Sequence, residues 1–253
     1  MATKRKTTRL RGGDILDVAE YHDGRYGAPG IPRQKKKQPT KEDMQKVNAM
    51  NKARYCRLRL IQYFTSGDYF VTWTYRVEER PPDMALALKD FQKAIRKIRD
   101  AYRKHGYECF WIRNIERGTR GAWHIHLVIN RIPGAADIIT EAWGKGGVYI
   151  TKIKNSPHYD EDFTRLAGYM TKNQNTREKR GDGTPAKPRL REASYSTSRN
   201  MPLPEPRKKP LVRWPREVKP KKGYYIARIY EGINPKTGYK YRRYTLIRLN
   251  RRI

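Results

Sequence analysis

The run Trp123-His124-Ile125-His126-Leu127-Val128-Ile129 leaves the chain little choice of local conformation. Its aromatic and β-branched residues favour a strand over a helix. Successive side chains of a strand point to opposite faces, so residues i and i+2 share one. His124 and His126 therefore present two imidazoles to one face, while Trp123, Ile125 and Leu127 pack the other. Two imidazoles on one face make half of a metal site. The plain alternative is a pair of histidines on an exposed strand face.

A further ligand is close in sequence. Phe110-Trp111-Ile112-Arg113-Asn114-Ile115-Glu116 also reads as a strand, and Arg117-Gly118-Thr119-Arg120-Gly121 follows as a glycine-marked turn. Two strand-like runs joined by such a loop predict a hairpin. Pairing Glu116 with Ala122 sets Asn114 opposite His124. Directly paired residues share a face, so Glu116, His124 and His126 lie within reach of one cation. A slip of one residue would send Glu116 to the other side. It would then do no more than offset Arg117 or Arg120.

Charge narrows the partner. The 253 residues carry a formal net charge of +32, from 57 Lys and Arg against 25 Asp and Glu. Such a surplus repels itself and favours a polyanion, most simply nucleic acid. Eighteen tyrosines and five tryptophans accompany it. Cations over phosphates with aromatics under unstacked bases suit single strands, although many tyrosines of any chain are core residues. Cys56 and Cys109 match no zinc spacing and need no disulfide, which fits a reducing compartment. No apolar run is long enough to span a membrane, and Met1 to Arg11 lacks the apolar segment of a signal peptide. A cytoplasmic protein is expected.

Along the chain, residues 1–39 show no sustained periodicity and read as a flexible basic arm. Thr40, with Asp43 three residues on, can cap a helix running to about Phe64. Tyr69 to Tyr75 is the strongest strand signal. Pro81-Pro82-Asp83 opens a helix with Met84, Leu88, Phe91, Ile95, Ile98 and Tyr102 on one stripe. The hairpin follows, then a helix over 135–143, a strand over 147–153 and a helix over 160–173. This order is βαββαβ and a further helix. It predicts an α+β fold with a ferredoxin-like (RRM-like) antiparallel sheet, helices packed on one face and the other face open for a site. The main domain is expected over 40–175, a basic Pro/Gly-rich linker over 176–222, and a C-terminal β-hairpin over 223–253 turning at 234–238.

The helix over 160–173 contains Tyr169 and Lys172, one turn apart on one face. A phenol beside a cation suits attack on a phosphodiester, though Tyr-x-x-Lys alone is a common pattern. Three stretches taken together resemble the HUH endonucleases, specifically the single-tyrosine rolling-circle replication initiators of plasmids and single-stranded DNA phages. They are Phe70-Val71-Thr72-Trp73-Thr74-Tyr75, His124-Ile125-His126 with Glu116 one strand earlier, and Tyr169 to Lys172. Trp143-Gly144-Lys145-Gly146 and Ser198-Arg199-Asn200 also look like the phage and bacterial branch. The resemblance covers roughly residues 40–205.

The resemblance implies Mg²⁺ or Mn²⁺ held by Glu116, His124 and His126, polarising the scissile phosphate. Tyr169 would attack in line to leave a 5′-phosphotyrosine and a 3′-hydroxyl, with Lys172 stabilising charge. Thr72, Thr74, Arg120, Asn173 and Arg199 become candidate DNA contacts, and the partner is single-stranded or hairpin origin DNA in a bacterial cytoplasm. No Gly-x-x-x-x-Gly-Lys-Ser/Thr is present, so helicase and polymerase would be separate host proteins. Tyr159 is ten residues upstream of Tyr169 and is a second nucleophile only with different geometry. Relaxases place the tyrosine before the histidines, unlike this order. A small single-tyrosine transposase, or a non-catalytic basic protein whose sheet stacks bases, are the competing readings.

Overall fold

The structure, a computed structural model, describes residues 3–22, 40–173, 190–211, 214–233 and 239–249. The expected turn at 234–238 lies outside them. The strands are β1 (Thr3–Leu10), β2 (Ile15–His22), β3 (Tyr69–Thr74), β4 (Trp111–Gly118), β5 (Trp123–Ile129), β6 (Val148–Lys152), β7 (Leu190–Thr197), β8 (Arg207–Leu211), β9 (Tyr224–Ile233) and β10 (Lys240–Arg248). The helices are α1 (Lys41–Tyr63), α2 (Met84–Lys104), α3 (Ala135–Trp143) and α4 (Thr164–Met170). Among the described residues the fold is α+β, with two five-stranded antiparallel sheets. The chain divides into two compact units, Met1–Asn51 with Leu203–Ile253, and Lys52–Pro202.

In the second unit the strand order is β6-β3-β5-β4-β7. One face is apolar. Val71, Trp73, Ile115, Ile125, Leu127 and Ile129 pack there against Phe91, Ile95 and Ile98 of α2 and Ile139 and Trp143 of α3. The α2 stripe forms because these residues recur at helical spacing. Asp83 caps the helix by accepting from the Leu86 N–H at 2.8 Å. Trp143 fixes α3 to the sheet: its indole stacks on Trp73 at 4.8 Å and its Nε1–H donates to the Thr74 carbonyl at 2.9 Å. Gly144 ends α3 in the left-handed region, at φ 62°.

Four expectations need correction in this unit. The β4–β5 hairpin pairs Glu116 with His124 and Asn114 with His126, two residues away from the expected register. An even offset keeps every side chain on its face, so the grouping of Glu116 with the two histidines survives. Helices also cover both faces rather than one. Asn114 Nδ2 donates to the Lys172 carbonyl at 3.2 Å, tying the end of α4 to the face opposite α2 and α3. Residues 190–197, expected inside a linker, form the fifth strand and pair with β4. The helix carrying Tyr169 is shorter than 160–173. Asp160 and Phe163 take left-handed φ of 48° and 55°, and the Asp160 carboxylate accepts from the Arg165 and Leu166 N–H groups. Those contacts delay the helix start to Thr164.

The first unit is the larger departure. Residues 3–10 and 15–22, read from the sequence as part of an arm, are strands. With β8 from the expected linker, and with the C-terminal β9 and β10, they form a sheet in the order β8-β1-β2-β10-β9. Leu16, Val18, Tyr224, Tyr244 and Leu246 are its core. Buried Glu20 accepts from Arg242, from Arg5 Nε at 2.6 Å and from the Tyr244 hydroxyl at 2.9 Å. The C-terminal hairpin is thus a pair of strands in a sheet completed by the chain's other end. The capping box expected at the start of α1 is present: Asp43 N–H donates to Thr40 Oγ1 at 3.1 Å, and Thr40 N–H to Asp43 Oδ2 at 3.3 Å.

Candidate active site

The site is built on two cross-strand rows on the α4 side of the second sheet. One row runs Thr72–His126–Asn114 and the next Thr74–His124–Glu116. Their neighbours along each strand face the apolar core, so period-two alternation alone sorts the polar side chains onto this face. The imidazoles of His124 and His126 lie nearly parallel, with centroids 6.3 Å apart.

His126 is the hub. Its Nδ1 is 3.1 Å from Thr72 Oγ1. Its Nε2 is 3.0 Å from Glu116 Oε1 and 3.0 Å from the Tyr169 hydroxyl. Lys172 Nζ sits 2.9 Å from Glu116 Oε2 and 3.8 Å from the centre of the Tyr169 ring. Tyr169, His126, Glu116 and Lys172 thus form one continuous cluster. Tyr169 is 39% exposed, so its ring edge is open to a ligand, whereas His126 and Glu116 are buried.

Three of these groups are shifted in telling directions. Burial works against ionised Glu116, but hydrogen bonds and charge from His126 and Lys172 outweigh it and hold the carboxyl below its usual range. Burial pushes the Tyr169 phenol above its ordinary value. Lys172 opposes that shift without cancelling it, and the Glu116 charge reinforces it. Burial, with the charge of His126, also lowers His124, which favours the neutral imidazole.

The donor types fit a divalent cation: two imidazoles and one anionic carboxylate on adjacent rows of one face. The cage is not ready-made. Among the described residues no three His, Cys, Asp or Glu side chains converge as metal ligands, because Glu116 directs its oxygens at His126 and Lys172. Ligation by all three would need those contacts to be exchanged.

The remaining sequence-derived candidates divide. Thr72 is in the cluster, and Thr74 shares the His124 row. Asn173 lies past the Thr171 cap of α4, next to Lys172. Arg120 is exposed in the turn beyond Glu116. Arg199 is placed elsewhere. Thr197 pairs with Ile112 and Ala193 with Glu116, so Arg199 lies past the Trp111 end of β4, about 20 Å along the strand from the Glu116 row. Tyr159 is exposed, and its ring lies 5.2 Å from the Arg165 guanidinium carbon.

Two residues not singled out from sequence belong to the cluster. Phe70 stacks on His126 at 5.8 Å and meets Tyr169 edge-on at 5.7 Å. Asn114 is fully buried and anchors Lys172 through its carbonyl. An amide on the histidine face of a strand was the available signal for Asn114. Phe70 opens the first of the three stretches that carry the resemblance, and that was its signal.

Residues 68–174 match the model of a replication-associated protein family, the ORF2 type. The matched span lies within the second unit and includes the whole Tyr169–His126–Glu116–Lys172 cluster. The match supports a rolling-circle Rep-type protein with a role in replication initiation, acting on DNA. Comparison with curated proteins and with solved structures gives no match. No helix among the described residues is long and apolar enough to cross a membrane.

Proposed function

We propose that this chain is a single-tyrosine HUH endonuclease that nicks and rejoins single-stranded origin DNA to start rolling-circle replication. The observation that carries the reading is the Tyr169 hydroxyl at 3.0 Å from His126, with Lys172 against the same ring. A tyrosine serving only the core would bury its ring away from a histidine–carboxylate–lysine cluster. The sheet order β6-β3-β5-β4, antiparallel throughout with α2 and α3 as crossovers, supports a ferredoxin-like domain.

In this reading Tyr169 Oη attacks phosphorus, the P–O3′ bond breaks, and the 3′-oxygen leaves as a hydroxyl after taking up a proton. The phenol surrenders its own proton to solvent; Nε2 is the His126 nitrogen left for a cation once Thr72 engages Nδ1. Lys172 does two things. Its charge favours the phenolate over the phenol, and it stands beside the phosphate position as negative charge grows there. Thr72 fixes the His126 ring through Nδ1, leaving Nε2 aimed at the reacting side. Asn114 holds the backbone of Lys172. Phe70 limits the rotation of both rings. Glu116, His124 and His126 would hold Mg²⁺ or Mn²⁺. A bound cation would supply Lewis-acid charge at the phosphate.

The test is covalent capture. Incubated with Mn²⁺ and a labelled single-stranded origin oligonucleotide, the parent protein is expected to yield an adduct that survives denaturation. Tyr169→Phe is expected to bind with near-parental affinity and give none. Undiminished adduct in Tyr169→Phe removes Tyr169 as the nucleophile.

A further inference from the structure

The sheet of the first unit has two unlike faces. Glu20 and Glu231 fall on the face that carries Arg242 and the apolar core. The opposite face is packed at one end, where Leu10, Ile15 and Ile247 are buried, and reads differently at the other. One cross-strand row runs Lys208–Lys6–Ala19–Arg243–Tyr230; beyond it lie Pro210–Lys4–Tyr21 and the pair Tyr241–Gly232. Arg228 lies on this face too, one row further along. Among its described strand residues the acid is Asp17, which is buried. The partly open end of the face is therefore basic, with cations on strands contributed by both ends of the chain.

Aromatic rings lie among these charges in a specific way. A Cβ at Gly232 would come within 2.8 Å of the Tyr241 hydroxyl and 2.9 Å of its Cζ. The Tyr241 ring therefore lies down against the strand backbone, in space that any other residue at 232 would fill. Tyr230 is beside it, with ring centres 6.0 Å apart and 47% of its own surface exposed. The Arg243 guanidinium is 5.9 Å from the Tyr241 ring. A ring packed against a strand backbone, with cations among its neighbours, is what unstacked bases require.

From this geometry we infer that the Tyr230–Tyr241 face of the first unit is a second binding surface, for single-stranded DNA, separate from the Tyr169 cluster. Bases stack on the two rings, and phosphates run past Lys4, Lys6, Lys208 and Arg243. The choice of single strands over duplex comes from the rings, because a base stacks on them only when it is unpaired. The inference rests on the reading of the chain as one that acts on single-stranded DNA. It needs no chemistry at Tyr169.

The test is fluorescence anisotropy with the full chain, a labelled oligo-dT of about twenty nucleotides, enough to span one such platform, and a matched duplex. Tyr230→Ala and Tyr241→Ala are each expected to weaken oligo-dT binding about tenfold, given the contribution of one stacked base, and to leave duplex binding nearly unchanged. Tyr230→Phe and Tyr241→Phe keep the rings and are expected to bind as the parent does, which separates stacking from folding. Gly232→Val displaces the Tyr241 ring without altering charge and is expected to behave like Tyr241→Ala. Parental oligo-dT affinity in both alanine variants overturns the platform. Equal losses on oligo-dT and duplex overturn base stacking in favour of general charge. Scored beside binding, cleavage of an oligonucleotide nicked by the parent should persist in every variant at saturating protein. If the parent fails to cleave while the alanine variants still lose oligo-dT binding, the nicking proposal falls and the platform stands.

Discussion

At the residue scale, His126 does most to organise the site, because both of its ring nitrogens are engaged. Thr72→Val keeps the shape of that side chain and removes the hydroxyl at Nδ1. Losing one neutral hydrogen bond is worth about 1 kcal/mol, so a fall of about fivefold in cleavage rate is expected, with DNA affinity unchanged. A variant as fast as the parent would remove Thr72 as the residue that orients His126. Glu116→Gln has a larger expected effect, since it strips charge from between His126 and Lys172; single-turnover cleavage should drop by about a hundredfold or more, about 3 kcal/mol for an unpaired buried charge. Elsewhere, Glu20 gives a pH signature. Burial opposes its ionisation, but hydrogen bonds from Arg242, Arg5 and Tyr244 outweigh it and hold its pKa below the reference value of 4.5. A carboxyl depressed in the folded state stabilises fully above its unfolded value, and that stabilisation is lost as pH falls through the folded value. In urea denaturation, Glu20→Gln should therefore be less stable than the parent at about pH 7, and the gap should close below about pH 4.

At the scale of elements, the parts legible in the sequence are those whose signal is local. β3, the β4–β5 hairpin, α2 and α3 each carry their own periodicity, and the capping box at Thr40 and Asp43 is a short local pattern. The hairpin register was harder, because a shift by two preserves every face and leaves the apolar pattern indifferent. β1 was hidden for a different reason. Its Thr-Lys-Arg-Lys-Thr-Thr-Arg-Leu alternates hardly at all in hydropathy, and its pairing partners lie both next to it, in β2, and at the far end of the chain, in β8. β7 and β8 likewise draw their stability from distant partners, so both read as linker. Two outcomes follow. Asp83→Ala removes the cap of α2 and should lower stability by about 1 kcal/mol in urea. Deleting residues 206–253 removes β8, β9 and β10, uncovering Leu16 and Val18 on β2. The truncated chain is expected to expose apolar surface, seen as increased binding of a hydrophobic dye. A truncation with no such increase would show that β1 and β2 do not depend on the C-terminal strands.

At the scale of the whole molecule, the cluster around Tyr169 and the basic sheet are carried by different units, and the family match falls within one of them. The net charge of +32 belongs to both, so binding to single strands should weaken steeply with salt, by a log–log slope of about −0.7 for each phosphate neutralised. A slope near zero would contradict a role for that charge. The central claim remains the nucleophile, and the sequence around it permits a direct assignment. Trypsin cuts after Lys154, Arg165 and Lys172, so Tyr159 and Tyr169 leave on separate peptides. The decisive measurement is mass spectrometry of a tryptic digest of the protein–DNA adduct, after nuclease trimming to the attached nucleotide. The nucleotide is expected on the peptide spanning 166–172, through Tyr169. Its recovery on the peptide spanning 155–165, or on any other, would contradict the account.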